Sequence, residues 1–118
     1  MERYNWTAIA EEKMNPMLSR RVIHTEQMTI ANLWLAKGAV VPVHHHINQQ
    51  VTMLKSGALE FEMGGERIVL KAGDVLVIPP DVPHSVVALE DSTVTDLFTP
   101  AREDWIRGDD AYLRTPPV

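Results

Sequence analysis

Three consecutive histidines, His44, His45 and His46, lie in the stretch PVHHHINQQV, and Gln50 follows four residues later. Side chains at positions i and i+2 of an extended chain point to the same side, so His44 and His46 share one face and His45 points to the other. Gln50 has the same parity, and a bend after His46 would bring its amide oxygen alongside the two imidazoles. Such a set can bind a cation. A solvated polar turn has the same composition, so these ten residues alone leave both interpretations open.

His84, in the stretch PPDVPHSVV, is the second candidate ligand. Three prolines make the approach to it rigid, and its same-side neighbours in the strand that follows, Val86 and Ala88, are apolar. A polar side chain on an apolar face must find a partner, because its burial is otherwise costly. Three imidazole nitrogens and one amide oxygen suit a divalent transition metal. The other two histidines, His24 and His45, are expected to be ordinary strand or surface residues.

The composition excludes several other kinds of site. The 118 residues fit one domain, 1–118, and the absence of cysteine excludes disulfides, thiolate zinc sites and a cysteine nucleophile. The net charge is −5 and Arg20-Arg21 is the one basic pair, so nucleic-acid binding is not expected. The longest mainly apolar run, 75–80, is too short to cross a membrane. The N-terminus lacks the layout of a signal peptide, so we expect a cytoplasmic protein.

The elements that must position these residues are short strands. Glycines and prolines divide the chain at short intervals, and the segments between them are β-branched or alternate between apolar and polar residues, which is typical of a small all-β sandwich or barrel. The turn GGE after residue 63 predicts a hairpin, because glycine tolerates positive φ. The predicted strands are 28–36, 50–57, 58–63, 66–70, 74–79, 84–89 and 93–98.

The two ends of the chain look different from this centre. Residues 5–14 predict either a short helix or an extra edge strand. Residues 101–113 predict a short helical tail that begins just after Pro100, and the last residues, 114–118, are expected to fray.

Two spaced motifs resemble the signatures of the cupin family. The first reads G-x(5)-H-x-H-x(3)-Q-x(6)-G from Gly38 to Gly57, and the second reads G-x(5)-P-x-D-x(2)-H-x(3)-A from Gly73 to Ala88. The family pattern has glutamate at the position of Gln50, glycine at the position of residue 81 and often asparagine at residue 88. The resemblance covers about residues 30–99 and implies a small cupin (jelly-roll) barrel with its core there.

The same resemblance implies a ligand set. His44, His46, Gln50 and His84 would bind one divalent transition metal ion, such as nickel, zinc, manganese or iron. Because a neutral amide replaces a carboxylate, the ion would be held less tightly and would be more electrophilic.

The segment TDLFTPAREDW contains D-x-F-x-P-x-R, with Asp96, Phe98, Pro100 and Arg102. Together with the glutamine ligand, it resembles the KdgF-type cupins of bacterial uronate metabolism, which open the ring of 4,5-unsaturated uronates. The resemblance implies that the aspartate, the phenylalanine and the arginine line the pocket beside the metal.

Simple chemistry is compatible with these roles. Asp96 and Phe98 share a strand face, and a carboxylate in an apolar barrel is expected to have a raised pKa and to move protons. An aromatic ring suits a sugar, and Arg102 offers a fork for a carboxylate. In the competing interpretation, Asp96 caps a turn, Phe98 is core and Arg102 pairs with the acidic tail.

The functional hypothesis is therefore a metal-dependent cupin that acts on a small sugar acid. A cupin dioxygenase and a metal- or ligand-binding module without turnover are the alternatives. We expect a homodimer, because pairing two barrels covers sheet edges, with the N-terminal segment or the helix from Asp104 at the contact. The roles of Trp6, Trp34 and Trp105 are left open.

Overall fold

The chain folds into two antiparallel β-sheets, which confirms the all-β prediction. The computed structural model describes residues 1–114, so most of the end expected to fray, 114–118, lies outside the described residues. A 3-10 helix, Trp6–Ala8, precedes the strands, and two four-residue helices follow them, α1 (Glu103–Ile106) and α2 (Ala111–Arg114). The strands are β1 (Glu12–Asn15), β2 (Leu18–His24), β3 (Thr29–Leu35), β4 (Val40–His44), β5 (Gln49–Ser56), β6 (Ala58–Met63), β7 (Glu66–Lys71), β8 (Val75–Ile78), β9 (His84–Ala88) and β10 (Ser92–Thr99).

The larger sheet has the strand order β1-β2-β3-β10-β5-β8, and the smaller sheet has the order β4-β9-β6-β7. Alternation decides which side chains face the interior. In β10, Val94, Asp96 and Phe98 are buried, whereas Thr95 and Leu97 are only half-buried. The two inner faces pack against each other and enclose the hydrophobic core.

Two strands, β2 and β4, were not predicted, and a third, β1, corresponds to the extra edge strand offered as an alternative near the N-terminus. The edge strand β1 and the 3-10 helix both fall near the 5–14 segment, so each of the two forms expected there is present. β2 was not predicted, because the inward-facing Arg20 interrupts the apolar alternation of Leu18 and Val22. β4 was not predicted either, since Pro42 lies in its middle.

The predicted hairpin joins β6 and β7, and Gly64 and Gly65 both have positive φ, 60° and 79°. Gly57 has a stricter requirement. A Cβ there would lie 2.3 Å from the Ser92 hydroxyl and 2.4 Å from the Asp91 carbonyl, so the strand β10 passes too close for any other residue.

The C-terminal tail folds back onto the barrel. The helical prediction for 101–113 is confirmed in part, because Gly108 at φ +79° separates α1 from α2. Asp110 accepts a hydrogen bond from the buried Arg20 at 2.5 Å, and Asn15 donates to the Leu113 carbonyl at 2.9 Å. The tail thereby closes one end of the interior with the side chains of Trp105 and Leu113. No helix among residues 1–114 has the length and hydrophobicity needed to cross a membrane.

Candidate metal centre

His44 and His84 come together because they are cross-strand partners. His44 ends β4, His84 begins β9, and the two residues lie opposite each other in the register of the smaller sheet. Their ring centroids are 4.3 Å apart. The inward side of β9 continues with buried Val86 and Ala88, as the alternation predicts, so the imidazoles sit at the rim of an apolar interior.

His46 lies beyond the end of β4, and the backbone around it holds its ring in place. The Asp81 N–H donates to the His46 carbonyl at 2.8 Å, and Asp81 has φ +62°. Aspartate is one of the few residues that tolerate this left-handed conformation, which explains how it can stand where the family pattern has glycine. The His46 ring lies 5.2 Å from that of His84 and 5.8 Å from that of His44.

The three histidines use the same nitrogen in the same way. Each Nδ1 faces a backbone carbonyl two residues away: His44 faces Pro42 at 2.8 Å, His84 faces Val82 at 2.8 Å, and His46 faces Asn48 at 3.0 Å. A carbonyl only accepts, so each Nδ1 carries the hydrogen and each Nε2 of a neutral ring presents a lone pair. One ligand nitrogen from each ring can be chosen so that all three lie within 4.8 Å of one another.

The electrostatic environment keeps these rings neutral. Burial lowers the pKa of His44 to about 4, with further lowering by the charges of His84 and His46. Burial also lowers the pKa of His46 to about 4, assisted by Arg102, and burial lowers the pKa of His84. Neutral imidazole is the form that binds a metal ion, so at neutral pH no proton has to be displaced.

Two of the imidazole Nε2 atoms lack a hydrogen-bond donor among the described residues. The Nε2 of His84 has no hydrogen-bond partner within residues 1–114. The Nε2 of His46 faces Oε1 of Gln50 at 3.1 Å, although both atoms are acceptors in the tautomer described above. A cation placed among these atoms would satisfy all of them, so the donor set of three imidazoles and one amide oxygen fits a divalent transition metal.

Asp96, Phe98 and Arg102 line the same cavity as His44 and His84. Asp96 and Phe98 point inward from β10, opposite Thr52 and Gln50 of β5. The Phe98 ring packs edge-on against His46, with centroids 5.5 Å apart. Asp96 and Phe98 are therefore buried in the interior and also line the cavity.

Asp96 is a buried carboxyl group in an apolar setting. Burial raises its pKa to about 6, although a hydrogen bond from Thr52, the charge of Arg102 and a hydrogen bond from Gln50 each act in the opposite direction. A group with this pKa exchanges a proton readily near neutral pH.

The Arg102 side chain is almost completely buried, with 1% of its surface exposed. It donates to Asp104 through Nε at 2.9 Å and through Nη2 at 2.8 Å, and Nη2 also donates to the Tyr112 hydroxyl at 2.9 Å. Its guanidinium lies 4.7 Å from the centroid of Phe98 and 4.3 Å from that of Trp105. The expected pairing with the acidic tail and the expected position in the cavity thus occur together.

Comparison with known proteins places the chain in a family. The cupin domain family matches residues 33–99, which is more than half of the chain. The chain belongs to the cupin family. This cupin is 31% identical over 98 residues to the pectin degradation protein KdgF of Dickeya dadantii, covering 80% of this chain and 89% of that protein.

Two solved structures resemble this cupin closely. One is KdgF from a Halomonas species, with 35% identity, a TM-score of 0.76, and coverage of 81% of this chain and 92% of that one. The other is an RmlC-like cupin from Shewanella frigidimarina, with 30% identity, a TM-score of 0.82, and coverage of 89% and 96%. The resemblance to KdgF-type cupins and the cupin barrel expected from the sequence are confirmed.

The remaining histidines of this cupin lie apart from the cluster. His45 is exposed and faces Asp81 at 3.9 Å, and His24 is hydrogen-bonded to Thr29 at 2.8 Å. Trp105 belongs to the core beside Phe98, whereas Trp34 is exposed on the larger sheet.

Two residues at the site had not been singled out from the sequence. Thr52 bridges Gln50 and Asp96 by hydrogen bonds, and its position two residues after Gln50 is a signal that could have indicated it. Tyr112 stacks on His44 with centroids 4.7 Å apart. No local pattern indicates Tyr112, because its position depends on how the tail docks.

Proposed function

We propose that this cupin is a cytoplasmic enzyme that opens the ring of 4,5-unsaturated uronates with the help of a bound divalent transition metal ion. The observation that carries the proposal is the arrangement of Asp96, Phe98 and Arg102 around a cavity that is also lined by two of the three clustered histidines, His44 and His84. The relatives named pectin degradation protein KdgF and KdgF support the same substrate class, since unsaturated uronates arise when pectin is cut by lyases.

The metal ligands in this proposal are His44, His46, Gln50 and His84. Their nitrogens and amide oxygen suit nickel, zinc, manganese or iron. When bound, the ion supplies Lewis-acid polarisation of a substrate oxygen and requires no change of its own oxidation state. The ring hydrogen bonds to backbone carbonyls orient the three imidazoles before the ion arrives.

The reaction is an isomerisation, and Asp96 handles its protons. The hydroxyl at C1 loses a proton, the bond between C1 and the ring oxygen breaks, and its electrons pass to the oxygen to leave an aldehyde at C1 and an enolate at C4–C5. A proton is then added at C4 and a ketone forms at C5, so no atom is gained or lost overall. Asp96 serves as the general acid and base, because its pKa of about 6 lets it hold and release a proton near neutral pH.

Phe98 and Arg102 position the sugar acid in this proposal. The Arg102 guanidinium lies over the Phe98 ring, with its Cζ 4.7 Å from the ring centroid. A planar guanidinium can bind a carboxylate with two parallel hydrogen bonds, and in this proposal the substrate carboxylate replaces Asp104 as the partner of Arg102. The aromatic ring beside it suits a sugar ring. Binding the sugar acid in one orientation lowers the activation barrier of the reaction, because it holds the reacting carbon at a fixed distance from Asp96.

The test is an activity assay on the metal-loaded protein with 4,5-unsaturated galacturonate, in which loss of the enol absorbance is followed. We expect acceleration by the wild type, loss of that acceleration in Asp96→Ala, and full activity in Asp109→Ala, which changes an exposed aspartate of the tail. No acceleration by wild type with metal demonstrably bound would overturn the uronate assignment. Oxygen consumption with strict iron dependence would support the dioxygenase alternative instead.

We also propose that two copies pair through the outer face of the larger sheet. Five aliphatic residues lie directly opposite one another across five strands, on the face opposite the buried Thr52 and Asp96, and Val77 is half exposed. Sheet faces of this kind pack well on one another. The row consists of Val77, which is exposed, of Ile30, Leu97 and Val51, which are half-buried, and of Ile23, which is buried already in the single chain.

Light scattering after gel filtration tests the pairing. Val77→Lys should convert a wild-type dimer to monomer, whereas Val69→Lys, on the smaller sheet and about equally exposed, should leave the dimer intact. A monomeric wild type would overturn this part of the proposal. Cell fractionation tests the cytoplasmic location.

A further inference from the structure

Thr52 lies at the centre of a buried hydrogen-bond chain between the candidate metal ligand Gln50 and the candidate acid–base Asp96. It is fully buried in the middle of β5, directly opposite Asp96 in the register with β10. Its hydroxyl is 2.9 Å from Nε2 of Gln50 and 2.7 Å from Oδ1 of Asp96. Both of these hydrogen bonds go to side chains, so the hydroxyl acts through the two groups that it joins.

The direction of each hydrogen bond follows from the chemistry of the groups. An amide nitrogen can only donate, and a threonine hydroxyl has one hydrogen to give. The Nε2 of Gln50 donates to the Thr52 hydroxyl, and the hydroxyl donates its hydrogen to Oδ1 of Asp96. With the amide nitrogen turned towards Thr52, the amide oxygen must point the other way, to the Nε2 of His46 at 3.1 Å.

We infer that Thr52 is a positioning residue that selects which end of the Gln50 amide faces the metal. A reversed amide would present N–H groups to the ion, and an amide N–H cannot act as a ligand. A glutamate has two equivalent oxygens and needs no such selection, so the requirement arises from the glutamine that replaces the usual carboxylate. The inference rests on the proposed metal site and is independent of the proposed substrate.

The experiment is a titration of the metal-free protein with Ni²⁺ by calorimetry. Thr52→Val keeps the shape of the side chain and removes the hydroxyl, and we expect its affinity for Ni²⁺ to fall about 10- to 100-fold, as for other groups that orient a ligand. Thr52→Ser restores the hydroxyl and should bind within about threefold of wild type. Thr95→Val is the matched control. Thr95 lies on β10 away from the cavity, and its hydroxyl donates a hydrogen bond to the Asn32 side chain at 2.6 Å.

A second measurement separates loss of the ligand from a general loss of structure. The visible spectrum of the Co²⁺-loaded protein reports the number and type of ligands. Thr52→Val should change this spectrum, whereas Thr52→Ser and Thr95→Val should leave it unaltered. Circular dichroism and the melting temperature of the metal-free proteins show whether each variant is folded.

The outcomes are distinguishable. If wild type binds no metal, the proposed metal site is wrong. If wild type binds Ni²⁺ and folded Thr52→Val binds it with the same affinity and the same Co²⁺ spectrum, the metal site stands and the role of Thr52 is wrong. If Thr52→Val fails to fold, Thr52→Ala, which also removes the hydroxyl, takes its place in the same titrations and spectra. If Thr52→Val folds, the double variant Gln50→Glu/Thr52→Val is a further test. The double variant should bind metal about as well as Gln50→Glu alone, and a 10-fold loss in it would overturn the inference.

Discussion

The guanidinium of Arg102 is paired with the carboxylate of Asp104 through two hydrogen bonds of 2.9 and 2.8 Å, in the two-pronged geometry that carboxylates favour. The pair has the geometry of the contact that we propose for a sugar acid. Asp104 is 28% exposed whereas Arg102 is 1% exposed, so the arginine is fixed and its partner lies nearer the solvent.

Replacing the planar guanidinium of Arg102 by the ammonium group of a lysine should weaken substrate binding. In Arg102→Lys the ammonium keeps the charge but loses the paired hydrogen bonds, so we expect KM for the unsaturated uronate to rise about tenfold or more and kcat to change less. Steady-state kinetics measures both constants. Arg107→Lys, at an exposed position after α1, should match wild type, and an unchanged KM in Arg102→Lys would show that this residue only anchors the tail.

The two neighbouring histidines should respond differently to removal. His44→Ala should abolish tight metal uptake, because it deletes one of three converging nitrogens, whereas His45→Ala should leave uptake nearly intact, because that ring is exposed and faces Asp81. Metal content after dialysis, measured by atomic absorption, decides this. Equal losses in both variants, or none in either, would contradict the proposed ligand set.

Restoring a carboxylate at the fourth ligand should strengthen metal binding. We expect Gln50→Glu to raise the affinity for Ni²⁺ about tenfold, since a negative ligand neutralises part of the charge of the ion, and to lower kcat because the ion is then less electrophilic. Competition with a chromophoric chelator measures the affinity. Gln49→Glu adds the same charge at an adjacent exposed position, and an equal gain there would mean that charge alone, rather than ligation, is responsible.

The docked tail should be sensitive to acid. Burial pushes the pKa of Asp110 upwards, but hydrogen bonds from Arg114 and Arg20 outweigh it and the pKa is lowered. A carboxyl group whose folded pKa lies below its unfolded value of about 4 adds stability above that value, and the contribution is lost as the pH falls through the folded pKa. The tail should therefore stay docked at pH 5 and loosen well below pH 4.

The indole N–H of Trp105 reports this change in an NMR spectrum, because it donates to the Tyr112 hydroxyl at 3.2 Å in the docked tail. Asp110→Asn breaks a buried ion pair with Arg20 and should lower the free energy of unfolding by about 3 kcal/mol at pH 7, with the indole signal shifted already at that pH. Asp109→Asn serves as the control. A Trp105 signal that is the same in all three proteins would show that the ion pair does not hold the tail.

Local patterns predicted the parts of the site that lie on regular strands. The parity of Asp96 and Phe98 and the apolar alternation after His84 follow from the period of two in a strand, and both hold in the structure. The pairing of His44 with His84 could not be read from either segment alone, because it depends on the register between β4 and β9. The family motifs supplied that long-range information.

The tail shows where such prediction ends. Its helical character was expected, but its break at Gly108 and its docking were not, since they depend on contacts with residues distant in the chain. Arg20 is 90 positions from Asp110 in the sequence. Its charged side chain also interrupts the apolar alternation on the inward face of β2, so the sequence pattern did not indicate that strand. The same long-range ion pair thus explains both a missed strand and the unforeseen position of Tyr112.

The donor set of the candidate metal centre has a consequence for which ions it admits. His44, His46, His84 and Gln50 offer a single oxygen and no formal charge, whereas Mg²⁺ and Ca²⁺ require six or more oxygen ligands, usually including carboxylates. A donor set of this kind disfavours Mg²⁺ and Ca²⁺ and favours transition metal ions, which accept imidazole nitrogen as a ligand. If these residues bind a metal ion, the discrimination against Mg²⁺ and Ca²⁺ follows from the types of their atoms.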